Sequence, residues 1–320
     1  MWFTPVYPPT PHKSRVRIAF SMKNARIRLA TLLPLIPLAL SLISCHQAQQ
    51  LLPDHPRQFP GVAMQDVTFF SPALNRNMPY RVYLPAKPVS GQKFPVVYLL
   101  HGGNGGFRDW SNYSDVARYA APDNSGGLIL VMPEGAFSYY MNAAEKPEDK
   151  YETYIVNDLI SDVEERFPAA KGREGRAIVG ISMGGFAALK LALSRPDLFV
   201  YVAALSPSID ILHRGLSPKR LGEWWRIRTI FGPSNSETRR TSDPFLLVQS
   251  ANPVQTPYLF MTAGEQEPLL EPNQRFAARL RDHHFSYEFH TKPGGHNWTQ
   301  WDAQLPGCFE SLFKHLHPAN

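Results

Sequence analysis

From about residue 66 onward, hydrophobic and polar positions fall into an alternation of short strand-like and longer helix-like runs. "QDVTFF" and "PYRVYLP" are separated by the turn-rich "SPALNRN", which predicts two strands joined by a turn. "FPVVYLL" is apolar nearly throughout, the pattern of a strand buried on both faces. A glycine loop follows, then a predicted helix around "WSNYSDVARYA" and a strand at "GLILVMP". "YETYIVNDLISDVEERF" places Ile155, Leu159, Val163 and Phe167 on one helical face. "RAIVGIS" reads as a strand and "MGGFAALKLALSRP" as a helix stopped by Pro196. "YVAALS", "PYLFMTA" and "SYEFHT" complete the strands, and Phe309, Leu312, Phe313 and Leu316 mark a closing helix. Strands alternating with helices predict an α/β fold with a mostly parallel central sheet covered on both faces.

Residues 208–256 separate two predicted strands by more than a simple crossover requires, so a helical cap insertion is expected there. Within it, Trp224 and Trp225 either pack the lobe onto the sheet or line an acyl pocket. Trp298, after the last strand, is a third pocket candidate. The basic cluster Arg226, Arg228, Arg239 and Arg240 is expected to be a solvated face.

Composition changes this picture at the N-terminus. The chain has 320 residues, 43% of them apolar, enough for one large core. Its net charge of +6 raises nucleic acid as a partner. However, six basic and no acidic residues precede Cys45, and setting those six aside leaves 27 basic against 27 acidic residues. A near-neutral body argues against a polyanion partner. Lys23, Arg26 and Arg28 lead into "LATLLPLIPLALSLIS", too short and proline-broken for a membrane span but fitting an export signal. It ends in "LISC", which resembles the lipobox of bacterial lipoproteins, with Cys45 as the lipid-bearing residue. The expected organisation is a signal over 1–45 (with Met22 as an alternative start), a tether over 46–62, and a folded α/β domain over 63–318. The expected location is the bacterial cell envelope, periplasmic or outer-membrane, held to the membrane by the N-terminal lipid. With Cys45 lipidated, only Cys308 remains, so no intrachain disulfide forms, and Cys308 reads as a buried small hydrophobe.

The chemistry centres on "GISMGG". G-x-S-x-G between a strand and a helix is the setting of a nucleophile elbow, in which flanking glycines permit a tight turn that lifts the Ser182 hydroxyl above the strand ends. A serine needs a base. "SYEFHTKPGGHNWTQW" supplies His296 on a Pro-Gly-Gly turn after the last strand, whereas His283 and His284 fall at a helix end and His290 within a strand. Their spacing matches no metal site. The acid belongs between the two in sequence, and "GEQEPLLEP" offers Glu265, Glu267 and Glu271, among which the residues alone do not choose. Two oxyanion donors are expected: the N–H of Met183 and, from the glycine loop "HGGNGG", the N–H of Gly103.

From about Asp66 to Leu316 the chain resembles the esterase D / S-formylglutathione hydrolase group of α/β-hydrolases, which also includes mycolyltransferases and feruloyl and acetyl esterases. The resemblance rests on "YLLHGG", "VMPEG" followed by "SYY", "YETYIVNDLI", "IVGISMGGFAALKLAL", "PDLF", "GEQEPLLEPNQRF" and "PGGHNWTQW". It implies the α/β-hydrolase fold, no metal or organic cofactor, and an acid three residues after Gly264. That position is Glu267, a glutamate where the family keeps aspartate. The implied activity is that of a serine esterase acting on small-molecule or carbohydrate-linked carboxylic esters. The alternatives are acyl transfer to a sugar or glycolipid, thioester hydrolysis of the S-formylglutathione type, which an export signal disfavours, and a non-catalytic binding protein on the same scaffold.

Overall fold

The computed structural model describes residues 53–88, 90–122 and 127–316; the signal, Cys45 and residues 46–52 lie outside them. The strands are β1 (Val62–Ser71), β2 (Arg76–Pro85), β3 (Val96–Leu100), β4 (Ile129–Pro133), β5 (Arg176–Ile181), β6 (Tyr201–Leu205), β7 (Tyr258–Gly264) and β8 (Tyr287–Lys292). They form one sheet in the order β1-β2-β4-β3-β5-β6-β7-β8. The β1–β2 hairpin and its junction with β4 are antiparallel, and every pairing from β4 to β8 is parallel. This is the mostly parallel sheet expected from the alternation of runs, in the α/β-hydrolase architecture that the resemblance implies.

The helices are α1 (Asp109–Tyr113), α2 (Tyr151–Thr153), α3 (Ile160–Arg166), α4 (Met183–Ser194), α5 (Leu221–Phe231), α6 (Glu237–Ser242), α7 (Pro244–Ser250), α8 (Leu270–Asp282) and α9 (Trp298–His315). The pleat of the buried strands divides side chains between two cores. Val96, Tyr98 and Leu100 of β3 join a core with α3, α4 and α8, while Val97 and Leu99 join the opposite core with α9. Cys308 is buried in that second core, where burial pushes its thiol up to about 12.

Three expectations need correction. The single helix over "YETYIVNDLISDVEERF" is interrupted by a π-helical segment, Tyr154–Leu159, between α2 and α3. Its wider turn buries Tyr154, Ile155, Val156 and Leu159 together, more than one α-helical stripe admits. The insertion at 208–256 is a cap only in its first half, because α7 packs on α4 and α8 as an ordinary crossover helix. The described part of the tether is fastened to the domain. Arg81 of β2, 1% exposed, donates to both oxygens of Asp54 at 2.9 and 2.7 Å. It also donates to both oxygens of Asp66 at 2.6 and 2.8 Å and to Ser111 Oγ at 2.9 Å. A buried guanidinium needs every N–H answered, so the chain at Asp54 is fastened to the domain at its surface.

Replacing Arg81 with Met removes the hydrogen bonds to both carboxylates and leaves them facing Arg108, 3.8 Å from Asp54 and 3.9 Å from Asp66. The expected loss in urea unfolding is about 2 kcal/mol, below the ~3–5 kcal/mol of a fully buried pair, because Asp54 and Asp66 keep 29% and 40% of their side chains exposed. The hydrogen bond from Arg81 holds the Asp54 carboxyl below its usual range, against the upward push of burial. Its contribution is therefore present above the unfolded carboxylate range, near pH 4, and lost as pH falls further. Unfolding curves of the wild type and Arg81→Met are expected to converge as pH drops below about 4.

Candidate active site

Ser182 sits between β5 and α4 with φ 52° and ψ −111°, a backbone region costly for any residue with a Cβ. The neighbouring glycines make this turn possible. A Cβ at Gly180 would stand 2.2 Å from the Gly184 carbonyl, and one at Gly184 would stand 2.5 Å from the Leu100 carbonyl oxygen. The turn is tied down by Ser182 N–H to Leu205 O at 3.0 Å and by Ser208 N–H to Ser182 O at 3.1 Å.

From this elbow an unbroken chain of hydrogen bonds runs inward. His296 Nε2 is 2.8 Å from Ser182 Oγ, and His296 Nδ1 is 2.9 Å from Glu267 Oε2. The Glu267 carboxylate is fully buried, and its other oxygen accepts the Gly264 N–H at 3.0 Å. Two carboxylates left open by the sequence stand elsewhere. Glu271 pairs with Arg275 at 2.9 Å on the surface of α8, and Glu265 is an exposed acceptor for Thr291 at 3.4 Å. The loops that carry Glu267 and His296 are stitched together, with Glu265 N–H donating to Lys292 O and Gln266 N–H to Gly294 O, each at 3.0 Å. Gly264 permits this closeness, since a Cβ there would lie 2.4 Å from the Gly294 carbonyl oxygen.

Gly103 and Met183 both line the cavity of about 440 Å³ that opens above Ser182 and His296. The glycine loop is held from below. His101, fully buried, accepts the Gly135 N–H at Nε2 (2.9 Å) and meets Gly102 O at Nδ1 (2.7 Å). Burial opposes charge on this ring and the Glu134 carboxylate, 3.6 Å away, favours it, with a net upward push on its pKa. A backbone N–H aimed at Nε2 nonetheless requires that nitrogen bare, so at neutral pH the single proton sits on Nδ1 and is donated to Gly102 O. The supporting segment is strained, with Ala136, Tyr139 and Tyr140 at φ 47°, 53° and 53°. "VMPEG" with "SYY" marked this segment only as a resemblance; its service to the glycine loop was not legible.

None of the three tryptophans lines the cavity above Ser182. On α5 it is Glu223 that faces the cavity. Trp224 and Trp225 follow at successive 100° rotations and fall away from it, Trp225 being 56% exposed. Trp298 packs edge-on against Trp110 and Trp301, with ring centroids 5.3 Å away in each case. The cavity walls are instead Phe137, Tyr139 and Leu269 on the apolar side and Asp210, Arg214, Arg220 and Glu223 on the polar side. Ser208 adds a hydroxyl 3.3 Å from Ser182 Oγ. The arginine cluster is not one solvated face either. Arg239 donates to Gly232 O and Leu212 O, Arg228 and Arg240 pair with Glu145 and Glu237, and Arg226 lies over Phe137.

The sequence over residues 71–312 matches the family model described as "Putative esterase". The chain belongs to this esterase family. An acetyl esterase of Caldicellulosiruptor saccharolyticus is 26% identical over 267 residues, covering 79% of this chain and 99% of the relative. The structure of FphF, a fluorophosphonate-binding serine hydrolase of Staphylococcus aureus, superposes with a TM-score of 0.67 at 25% identity, covering 79% of this chain and 98% of that one. The ferulic acid esterase AmCE1/Fae1A of Anaeromyces mucronatus, in complex with ferulic acid, shares the fold with a TM-score of 0.60 at 20% identity, covering 83% and 97% of the two chains. This esterase is a carboxylic-ester hydrolase.

Gly184→Ala is expected to destabilise the esterase by more than about 2 kcal/mol, because neither the Leu100 carbonyl nor the helix can yield. Gly215→Ala, where a new Cβ meets nothing within 4 Å, is the neutral control. Thermal and urea unfolding of the two variants distinguish a crowded elbow from a general intolerance of added methyls.

Proposed function

We propose that this esterase cleaves small carboxylic esters through an acyl-enzyme on Ser182. The observation that carries the reading is the Glu267–His296–Ser182 chain at 2.9 and 2.8 Å, opening directly onto the cavity. His296 Nε2 takes the hydroxyl proton as Ser182 Oγ attacks the ester carbonyl. The tetrahedral oxyanion collects at the N–H groups of Gly103 and Met183. Collapse expels the alcohol, which receives the proton from His296, and water then repeats the sequence to free the acid and restore Ser182. Glu267 holds the imidazole tautomer and balances the imidazolium. The acetyl esterase relative supports a short acyl group.

His101 acts one layer further out. Gly102 O and Gly103 N belong to one peptide unit, and a trans peptide points its C=O and N–H in opposite directions. Drawing the carbonyl down onto Nδ1 therefore turns the Gly103 N–H up toward the cavity.

Ser182→Ala is expected to lower kcat/KM on p-nitrophenyl acetate by roughly 10⁴-fold or more, and to abolish labelling by a fluorophosphonate. Glu267→Gln is expected to cost about 10²–10⁴-fold in kcat, because an amide leaves the imidazolium uncompensated. Glu265→Gln and Glu271→Gln stay within a few fold of wild type. A folded Ser182→Ala protein with near-normal turnover overturns the reading.

We further propose export and lipid attachment at Cys45. The support is the basic start, the apolar run and the "LISC" ending. Mass spectrometry of the membrane fraction is expected to find lipid-modified Cys45 as the mature N-terminus. A mature soluble form retaining unmodified Cys45 contradicts it.

A further inference from the structure

Phe137 separates two cavities. One edge of its ring lies against Gly103, where a Cβ would stand 3.0 Å from Phe137 Cε2, and the ring lines the cavity above Ser182. It also lines a second cavity of about 290 Å³, between the 136–151 segment and α5, into which Trp225, Arg226, Lys146, Asp149 and Tyr151 project. This volume is at the small end of ligand pockets, enough for one ring and its substituents. The cavity's walls are fixed to one another. Ala144 N–H donates to Ile230 O at 2.8 Å and Glu145 N–H to Thr229 O at 3.0 Å, joining the segment to α5.

The charges in this cavity do not balance. Asp149 is answered by Arg76 at 3.6 Å, and the same arginine donates to the Tyr151 hydroxyl at 2.6 Å. Among the described residues neither Arg226 nor Lys146 makes an ion pair within 4 Å, and the Glu223 carboxylate acts on Arg226 only from farther away. The Arg226 guanidinium lies 3.4 Å above the Phe137 ring centroid, a contact that holds it in place without neutralising it. Partial burial lowers its pKa, and the opposing pull of Tyr139 and Glu223 does not cancel this. Beside the two cations, the Trp225 indole stands more than half exposed, with Trp224 edge-on to it at 5.0 Å.

We propose that this second cavity binds a carboxylate-bearing sugar ring of the ester substrate, remote from the ester bond that is cut. The carboxylate is held by Arg226 and Lys146, and the ring lies against Trp225. A planar anion suits the guanidinium fork, and a flat indole suits the apolar face of a sugar. The preferred substrate is thus an esterified acidic oligosaccharide that reaches across Phe137, with its reacting unit over Ser182. This inference rests on the esterase reading of the Ser182 site.

The test compares acetate release from acetylated trigalacturonate and from its methyl-esterified, uncharged counterpart. The wild-type kcat/KM is expected to favour the acidic substrate by about tenfold or more, one charge-assisted contact being worth roughly that factor. In Arg226→Gln/Lys146→Gln the ratio is expected to fall to about one, with each single variant between. A wild-type ratio near one, or an unchanged ratio in the double variant, overturns the proposal. A binding measurement needs no turnover: Ser182→Ala protein is titrated with trigalacturonate while Trp225 fluorescence is followed, with Trp225→Phe as the blank. Affinity is expected to drop at least tenfold with the double substitution, and no such drop overturns the assignment. Failure of the wild type on p-nitrophenyl acetate sinks the esterase reading instead, while the titration still decides the cavity.

Discussion

The contact between the Gly180–Gly184 turn and the end of β3 governs the site. Ser182 occupies a left-handed conformation that costs about 1–3 kcal/mol, and only a surrounding structure that over-determines it can hold it there. Here that structure is the backbone itself. α4 starts so close to β5 and β3 that carbonyls of Leu100 and Gly184 occupy the space where side chains would stand. A shift of this turn would move the Oγ away from His296 and the Met183 N–H away from the cavity together. The Ser182 Oγ and the Met183 N–H are thus fixed by one packing decision.

The sheet order explains why the site lies where it does. β4 follows β3 in sequence and lies on one side of it, while β5 lies on the other. Loops leaving β3 and β5 therefore diverge, and the gap between them at the carboxyl ends is the crevice in which open α/β sheets hold ligands. The glycine loop comes from β3, the Ser182 turn from β5, Glu267 from just past β7 and His296 from beyond β8. The 134–141 segment after β4 closes the crevice from the remaining side. Its strained Ala136, Tyr139 and Tyr140 let Gly135 reach His101 from below while Phe137 and Tyr139 face the cavity.

What was legible in the sequence follows from which constraints act locally. The elbow was readable because its glycines answer a steric demand within five residues. His296 was readable because a Pro-Gly-Gly turn after the last strand left one well-placed histidine. Three glutamates in one loop share the same local properties, so residue physics left them open. They separate once the fold is formed, when Glu267 meets the distant His296 while Glu271 joins α8 and pairs with Arg275 one turn along. The polar wall was illegible for a similar reason. Asp210, Arg214 and Glu223 look like any solvated charges until α5 turns Glu223 toward Ser182 and the tryptophans away. The polar run before β1 read as a tether because nothing near Asp54 announces a buried arginine on β2.

Glutamate in the acid position is accommodated by the way its loop is tied. A longer side chain gains rotational freedom, which would weaken its hold on an imidazole unless that freedom is removed. Glu267 loses it by folding back, one oxygen on the Gly264 N–H and the other on His296 Nδ1, in a spot closed to water. The Gly264–Gly294 contact brings the two loops near enough for this short return. The extra methylene is therefore absorbed within the loop, and the imidazole still meets Ser182 at 2.8 Å. The polar wall is built differently, on an insertion that shares none of these ties. Changes to that wall can alter which ester is admitted while the machinery on the strand ends stays in register. The ties of the Glu267 loop and the polar wall are therefore held by separate parts of the chain, while the 134–141 segment serves both the glycine loop and the apolar wall.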